Sequence, residues 1–220
     1  MRTKILCLLL AFVASIASAQ VKHIKPSAVI KMPNEYKKNK QHKTLDELIE
    51  ESAIYEDLYA GYCSWYCGGV VDTVTASSCL APIKNFDYIG ANAHDFDHTS
   101  VWAEGVPGQG IGEYLVYHFP GSCPRITTVK ILNGHVKNNK AWQENSRVKR
   151  LKMYYNDQPY AILDLEDSRS CQCFDVGIVG FHDPEAPAWT LKFEILEVYP
   201  GTKYEDTVIS ELYFDGIDVH

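Results

Sequence analysis

The stretch Asn92-Ala-His-Asp-Phe-Asp-His-Thr-Ser-Val-Trp102 places two acidic residues and two hydroxyl residues just before a tryptophan. Asp95 and Asp97 lie on either side of Phe96. A tight turn can therefore direct both carboxylates toward one hard cation such as calcium, with Ser100 within reach. Trp102 follows where the backbone can straighten into a strand, which predicts that the indole is buried beneath the loop. The alternative is a turn without metal, because Asp and Ser side chains also bond their own nearby backbone amides.

The chain around this stretch carries the pattern of β-strands. Eight segments are rich in β-branched and aromatic residues and are separated by Gly, Pro, Asn or Asp, at 70–77, 114–119, 126–132, 148–155, 160–165, 171–176, 189–199 and 209–214. From Trp189 to Ile195, apolar and polar residues alternate, as in an antiparallel sheet with one buried face. No glycine-rich phosphate loop joins alternating strands and helices. We therefore predict an all-β fold, a sandwich of about eight antiparallel strands.

Several motifs in order resemble one known family. They are Trp65-Tyr-Cys-Gly-Gly69, Val74-Thr-Ala-Ser-Ser78, Asn92-Ala-His-Asp-Phe-Asp97, Gly110-Ile-Gly-Glu-Tyr114, Ile131-Leu-Asn-Gly134, Lys140-Ala-Trp-Gln-Glu-Asn-Ser-Arg147 and Leu191-Lys-Phe-Glu-Ile-Leu-Glu-Val-Tyr-Pro-Gly201. Together they resemble the translocation domain of NAD glycohydrolase, over residues 65–216. That domain is a coagulation factor type C, or discoidin, domain with a galactose-binding-like jelly roll.

The resemblance implies a binding module. It does not imply NAD hydrolysis, which belongs to a separate domain of the namesake enzyme. It further implies a structural calcium held by Asp95, Asp97 and Ser100 and completed by Glu211 from the last strand. Phe96 and Ser100 depart from the Gly and Thr of the family pattern.

Three segments are predicted ahead of a sandwich domain at 65–220. Residues 1–19 combine basic residues, an apolar run and Ala17-Ser-Ala19, typical of a secretory signal, which indicates a secreted or periplasmic protein. Residues 20–43 are rich in lysine with only Glu35 as an acid, which predicts a flexible basic leader. In residues 44–64, the capping-box pattern Thr44-Leu-Asp-Glu47 and apolar residues at helical spacing predict a short N-terminal helix.

The charge balance disfavours two classes of partner. The chain has 28 Asp and Glu against 21 Lys and Arg, and Glu35 is the only acid before Thr44. The domain is therefore strongly acidic, which disfavours nucleic acid. No stretch after the signal is apolar enough to span a membrane.

Removal of the signal leaves six of the seven cysteines in an oxidising compartment, where disulfides persist. Six cysteines allow about 15 pairings, which the sequence does not rank. Cys171 and Cys173 would share one face of a strand, so we do not expect them to bond each other. A zinc site is the alternative use, but a second pair matching Cys63-x-x-x-Cys67 is missing. The disulfide candidates are Cys63, Cys67, Cys79, Cys123, Cys171 and Cys173.

The longest polar connection between predicted strands, residues 133–147, contains a single aromatic residue. Sugars offer apolar C–H faces to an aromatic ring and hydroxyls to amides or a guanidinium. This composition predicts a carbohydrate-binding platform made of Trp142, Asn138, Lys140, Asn145 and Arg147. In the alternative, the indole tucks over a sheet edge and Arg147 pairs with Glu144.

Catalytic patterns are weak by comparison. His94 and His98 are four residues apart, but their neighbours indicate a loop rather than a metal-binding helix. A Gly-x-Ser-x-Gly nucleophile motif is missing, while paired acids leave glycoside hydrolysis open. We therefore predict a non-catalytic module that recognises a glycan or a glycosylated cell surface. The alternatives are a small secreted hydrolase, glycan-active or metal-dependent, and a protein-interaction module without glycan binding.

Overall fold

The computed structural model describes residues 21–32 and 65–218. These residues form the strands β1 (Lys22–Ile24), β2 (Ala28–Lys31), β3 (Thr73–Ala76), β4 (Trp102–Ala103), β5 (Tyr114–Phe119), β6 (Ile126–Asn133), β7 (Ser146–Tyr155), β8 (Gln158–Asp164), β9 (Ser170–Val179), β10 (Trp189–Tyr199) and β11 (Thr207–Gly216). A short helix, α1 (Asn139–Glu144), and two 3-10 turns, Trp65–Cys67 and Gly90–His94, complete them. All eight predicted strands are confirmed, with shifts at their ends. The predicted secretory signal and N-terminal helix lie outside the described residues.

The strands form two antiparallel layers joined by a narrow seam. Their order is β2-β9-β6-β11-β7-β10-β5-β3, with β8 and then β1 beside β7, and β4 beside β11. Between β11 and β7 the pairing is parallel and covers only two residues on each strand, Thr207 and Val208 opposite Ser146 and Arg147. The β2-β9-β6-β11 layer therefore folds over the layer that contains β7, β10, β5 and β3. This arrangement is the predicted β-sandwich.

Aromatic side chains from both layers fill the space between them. The ring of Phe214 on β11 lies 5.1 Å from that of Tyr117 and 5.2 Å from that of Phe119, both on β5, between ring centroids. Both contacts are edge-to-face, an arrangement that aromatic pairs favour. Trp102 is fully buried, as predicted, and its indole N–H donates to the Ser78 carbonyl at 3.0 Å. The core therefore holds the base of the loop that precedes β4.

The predicted flexible leader is wrong for residues 21–32. β1 pairs in parallel with β8, and β2 pairs antiparallel with β9. Ile24 and Met32 are buried against the sandwich, while the intervening lysines face outward and give the segment its polar composition. Burial of a few apolar residues and the added backbone hydrogen bonds together stabilise this short segment. Residues 33–43 of the predicted leader lie outside the described part.

The predicted disulfide framework is not found in the described residues. Cys79, Cys123 and Cys171 carry free thiols, and Cys63 lies outside the described part. Cys171 and Cys173 share one face of β9, as predicted, and a hydrogen bond to Cys173 together with burial raises the pKa of the Cys171 thiol. Burial also raises the pKa of Cys123 to about 11. Both thiols therefore stay protonated and pack as small apolar groups.

No helix within residues 21–32 and 65–218 is both long and apolar enough to cross a membrane.

Candidate ligand-binding site

The loop between the Gly90–His94 turn and β4 is held by its own side chains. Asp95 accepts hydrogen bonds from the Asp97 amide at 2.8 Å and from the Ser100 hydroxyl at 2.6 Å. Asp97 accepts from the amide and the hydroxyl of Thr99, at 2.8 and 2.7 Å. The structure thus brings Asp95, Asp97 and Ser100 together, as their spacing predicts. The Asp97 carboxylate also closes the turn that follows it.

Phe96 occupies the position where the family pattern has glycine. Its φ angle is 63°, in the left-handed region that glycine enters without steric cost. Its ring stacks on Tyr213 of β11, with 4.9 Å between ring centroids and 20° between planes, and meets the edge of Tyr66 at 5.1 Å. These ring contacts offset the backbone cost and hold the loop against β11.

Glu211 on β11 reaches the underside of this loop. It is fully buried, and neither carboxylate oxygen has a well-placed hydrogen-bond donor among the described residues. Burial raises the pKa of this carboxyl well above its usual value near 4.5, and the neighbouring Asp95 carboxylate raises it further. The Phe96 amide and Tyr213 oppose the increase. Because Glu211 is buried while Asp95 beside it is exposed, the Glu211 carboxyl either keeps a proton or is compensated by a cation next to Asp95.

The surroundings of this carboxyl pair limit which ion fits. Within residues 21–32 and 65–218, no group of three or more His, Cys, Asp or Glu side chains is arranged to hold a metal. An ion bound by Asp95 and Glu211 would therefore take its other ligands from hydroxyl and backbone oxygens. Calcium accepts such oxygen ligands readily, whereas zinc prefers nitrogen and sulfur.

The predicted sugar platform lies on α1 and the start of β7, and most of its polar groups bond the protein itself. Asn138 caps α1, since its side-chain oxygen accepts from the Ala141 amide at 2.9 Å. Asn145 donates from its side chain to the Ala141 carbonyl at 2.8 Å. Lys140 is exposed and lies 3.9 Å from Glu144 on the same helix. Two of these three residues therefore stabilise the ends of α1.

The side chains of Trp142 and Arg147 also contact other parts of the protein. The half-buried indole donates its N–H to the Asn133 carbonyl at 2.9 Å, and the Arg147 guanidinium lies 4.4 Å from the indole ring centroid. Arg147 is nearly buried and pairs with Asp167 at 2.8 Å rather than with Glu144. A Cβ at Gly134 would lie 2.9 Å from the indole, so the ring packs directly on the backbone. These contacts match the alternative interpretation, an indole tucked over a sheet edge.

A cleft of about 360 Å³ opens beside the Asp95 loop. Its lining combines aromatic rings, amides, hydroxyls and charged groups from three parts of the chain: Asn85, Phe86, Asp87, Tyr88, Asn92, Thr99, Ser100, Val101, His135 and Lys137. We call it the aromatic cleft. The Phe86 ring is 58% exposed, and the Lys137 ammonium lies 5.7 Å from its centroid. Asn92 is fixed by donating to the Asp87 carboxylate at 2.9 Å.

Two local features set the electrostatics and the shape of the aromatic cleft. Burial lowers the pKa of His135, and the nearby Lys137 charge lowers it further, while a hydrogen bond with the Thr99 backbone raises it by less. The imidazole is therefore neutral at pH 7. Ile83 and Phe86 exchange two backbone hydrogen bonds around a tight turn, in which Lys84 has a φ of 58°. This turn holds the Phe86 ring out toward solvent.

Sequence reasoning missed the aromatic cleft because residues 78–92 show no periodicity. The available signal was Asn85-Phe-Asp-Tyr88, in which aromatic residues alternate with an amide and an acid. Nothing in that stretch indicates that His135 and Lys137 complete the cleft.

The family model of the NAD glycohydrolase translocation F5/8 type C domain matches residues 65–215. The chain belongs to this family. The family resemblance that the motifs indicate is therefore confirmed, and the F5/8 type C domain covers nearly all of the sandwich. A search of curated proteins found no match.

Solved structures show the same fold for this F5/8 type C domain. The CBM32-1 and CBM32-2 domains of Clostridium perfringens ZmpB in complex with GalNAc superpose with a TM-score of 0.52 and 9% identity, over 91% of this chain and 42% of that one. The ZmpB structure that also contains the M60 catalytic domain gives a TM-score of 0.53 and 10% identity, over 92% of this chain and 17% of that one. The chain spans less than half the length of these ZmpB chains. In the second, the catalytic domain is separate from the CBM32 domains.

Proposed function

We propose that this F5/8 type C domain is an exported, non-catalytic module that binds a glycan in the aromatic cleft. The observation that carries the proposal is the exposed Phe86 ring, set among amide, hydroxyl and charged groups in one concave site. The cleft volume of about 360 Å³ lies within the range of small-ligand sites.

The chemistry of the cleft suits a sugar. An aromatic ring packs against the C–H face of a pyranose, while amide and carboxylate groups bond its hydroxyls. Asn85 and Asp87 flank Phe86 in sequence, and neutral His135 can donate or accept a hydrogen bond. Because Asp87 and Lys137 bring opposite charges, the site favours a neutral ligand rich in hydroxyls over a strongly charged one.

We also propose that a calcium ion occupies the pocket under the Asp95 loop. Asp95 and Glu211 would supply carboxylate ligands, and Ser100 and backbone carbonyls of the loop would supply neutral oxygens. The buried Glu211 carboxyl, whose pKa is raised by burial and by Asp95, supports this proposal. The ion would stabilise the loop electrostatically. Thr99 and Ser100 of the same loop line the aromatic cleft, so calcium is expected to strengthen glycan binding as well.

The test of glycan binding is an array experiment on the exported chain, in calcium and again in chelator. N-acetylgalactosamine is the first sugar to examine, because a ZmpB structure with this fold contains it. We expect binding in calcium that Phe86→Ala abolishes. Phe181→Ala is the matched control, because Phe181 is also an exposed phenylalanine, at 44%, and is not among the residues that line the cleft.

Loss of binding in both variants would indicate a general defect and refute the assignment to the cleft. Blank arrays for the unmodified protein under both conditions would refute glycan binding and favour the protein-interaction alternative.

A further inference from the structure

The aromatic cleft does not end at its own rim. A second pocket of about 410 Å³ adjoins it, and the two share Tyr88, Val101 and His135 as a common wall. The two pockets therefore lie side by side, and a ligand that crosses the shared residues would contact both; we call the two pockets together the groove. A ligand that fills only the aromatic cleft would leave more than half of the groove empty.

The second pocket has a hydrophobic floor. Its floor is a small hydrophobic cluster, separate from the main core, in which Leu80 and Tyr88 pack on Val101, Ala103 and Val208. Ile83, which is 53% exposed, extends this apolar surface to the rim. This pocket therefore offers a continuous apolar floor to its occupant.

One side of the second pocket is acidic. Glu144 and Asp206 both line it. Lys140 lies 3.9 Å from Glu144, and a hydrogen bond to Tyr204, followed by the charge of the nearby Glu144, raises the pKa of Lys203. Asp206 makes no ion pair within the described part of the chain. Its charge at the edge of an apolar pocket favours a cationic group of the ligand.

We propose that the groove binds a glycopeptide, with the sugar in the aromatic cleft and the attached peptide in the second pocket. This inference rests on the proposed glycan-binding function and extends it. The peptide would place an apolar side chain on the Val101–Ala103–Val208 floor and a neighbouring basic side chain beside Asp206. A lipid anchor fits less well, because the carboxylates of Glu144 and Asp206 line the pocket.

Titration calorimetry with three probes tests the proposal on the full exported chain. The probes are N-acetylgalactosamine, a Leu-Lys-Ser peptide that carries this sugar on its serine, and the same peptide without sugar. We expect the glycopeptide to bind about tenfold tighter than the free sugar, which corresponds to about 1.4 kcal/mol. The bare peptide should bind most weakly, because the pocket alone offers few directional contacts.

Variants assign the added affinity to the second pocket. Ala141→Trp fills the pocket from α1, and Asp206→Asn removes its unpaired charge, so each should reduce the tenfold gain while leaving the affinity for the free sugar unchanged. Gln143→Trp is the matched control, since Gln143 lies on the same helix, is exposed and does not line the groove. It should retain the gain.

Three results would overturn the inference. Equal affinity for sugar and glycopeptide would show that the second pocket is unused, while the proposed function would stand. A gain for an octyl glycoside of the same sugar, titrated as a fourth ligand, but not for the glycopeptide would assign the pocket to an alkyl chain. Failure of all three probes in the presence of calcium would count against glycan binding itself, and the inference would fall with it.

Discussion

The Glu211→Gln substitution is expected to remove the dependence of folding stability on calcium. Without the ion, the unmodified domain must bury the Glu211 carboxylate beside Asp95 or take up a proton at Glu211. Glutamine has nearly the same shape and no charge, so in chelator the variant should be at least as stable as the unmodified domain. In calcium the order should reverse, because the variant has lost a ligand.

The size of the effect follows from mass action. At a calcium concentration about 100 times the Kd, binding to the folded state adds about 2.7 kcal/mol. For a domain of this size, each kcal/mol raises the melting temperature by about 2–4 °C. The unmodified domain should therefore melt roughly 5–10 °C higher in calcium than in chelator. The variant should show little of this difference.

The pH dependence of folding stability in chelator provides an independent test of the raised Glu211 pKa. The pKa of Glu211 is raised in the folded state, so its contribution to stability is fully present below about pH 4.5 and is lost as the pH rises toward the folded-state pKa. The melting temperature of the unmodified domain in chelator should therefore drop more between pH 4.5 and pH 7 than that of Glu211→Gln. Thermal denaturation followed by circular dichroism measures both series.

Glu104→Gln is the matched control. Glu104 is also fully buried, but its carboxylate accepts hydrogen bonds from the amides of Thr207 at 3.1 Å and Val106 at 2.9 Å. This substitution should destabilise the domain equally with and without calcium. Two results would contradict calcium binding at Glu211. One is an unmodified domain that melts at the same temperature in calcium and in chelator. The other is a Glu211→Gln variant that is markedly less stable than the unmodified domain in chelator.

Three further outcomes are expected. Phe96→Gly should be about 1 kcal/mol more stable than Phe96→Ala in chemical denaturation, because only glycine removes the cost of the left-handed backbone; equal stability would contradict the role assigned to the φ angle. Trp142→Ala should lower the unfolding free energy by about 2 kcal/mol, roughly half the cost at a fully buried site, while N-acetylgalactosamine affinity stays unchanged; a selective loss of affinity would restore the predicted platform. Because β2 pairs with β9 along one edge, the backbone amides of Ala28–Lys31 that point toward β9 should exchange slowly with deuterium, and rapid exchange at every position would support a flexible leader.

The strands were predictable because each sandwich layer buries one face. In β10, Trp189, Leu191, Phe193 and Ile195 alternate with polar residues, and the structure buries all four. β1 and β2 were missed because they have only three and four residues, too few to show a period among lysines. α1 was missed for a related reason, since six residues give less than two turns.

The candidate site was predictable only where its contacts are local. Asp95, Asp97 and Ser100 lie within six residues, and their spacing indicated their contact. Glu211 lies far along the chain, and resemblance rather than spacing identified it. The aromatic cleft joins residues 85–88 to residues 135–137, a proximity that no pattern along the chain encodes.

The role of Trp142 shows a different limit. Composition placed an aromatic residue in a polar connection, but it did not give the direction in which the ring points. The bond from its N–H to the Asn133 carbonyl and the close approach to Gly134 turn the ring toward the sheet.

The pairing of residues 21–32 has a consequence for the order of assembly during synthesis. Ile24 lies opposite Leu163 on one layer, and Ile30 lies opposite Cys171 on the other, so a single early segment closes an edge of each layer. Neither edge can be closed until the ribosome has made the partner strands some 140 residues later. Until then β1 and β2 remain unpaired, and β8 and β9 emerge with unpaired edges that a second nascent chain could capture. A shortened chain that begins after residue 32 would keep those edges open permanently, and we expect it to self-associate.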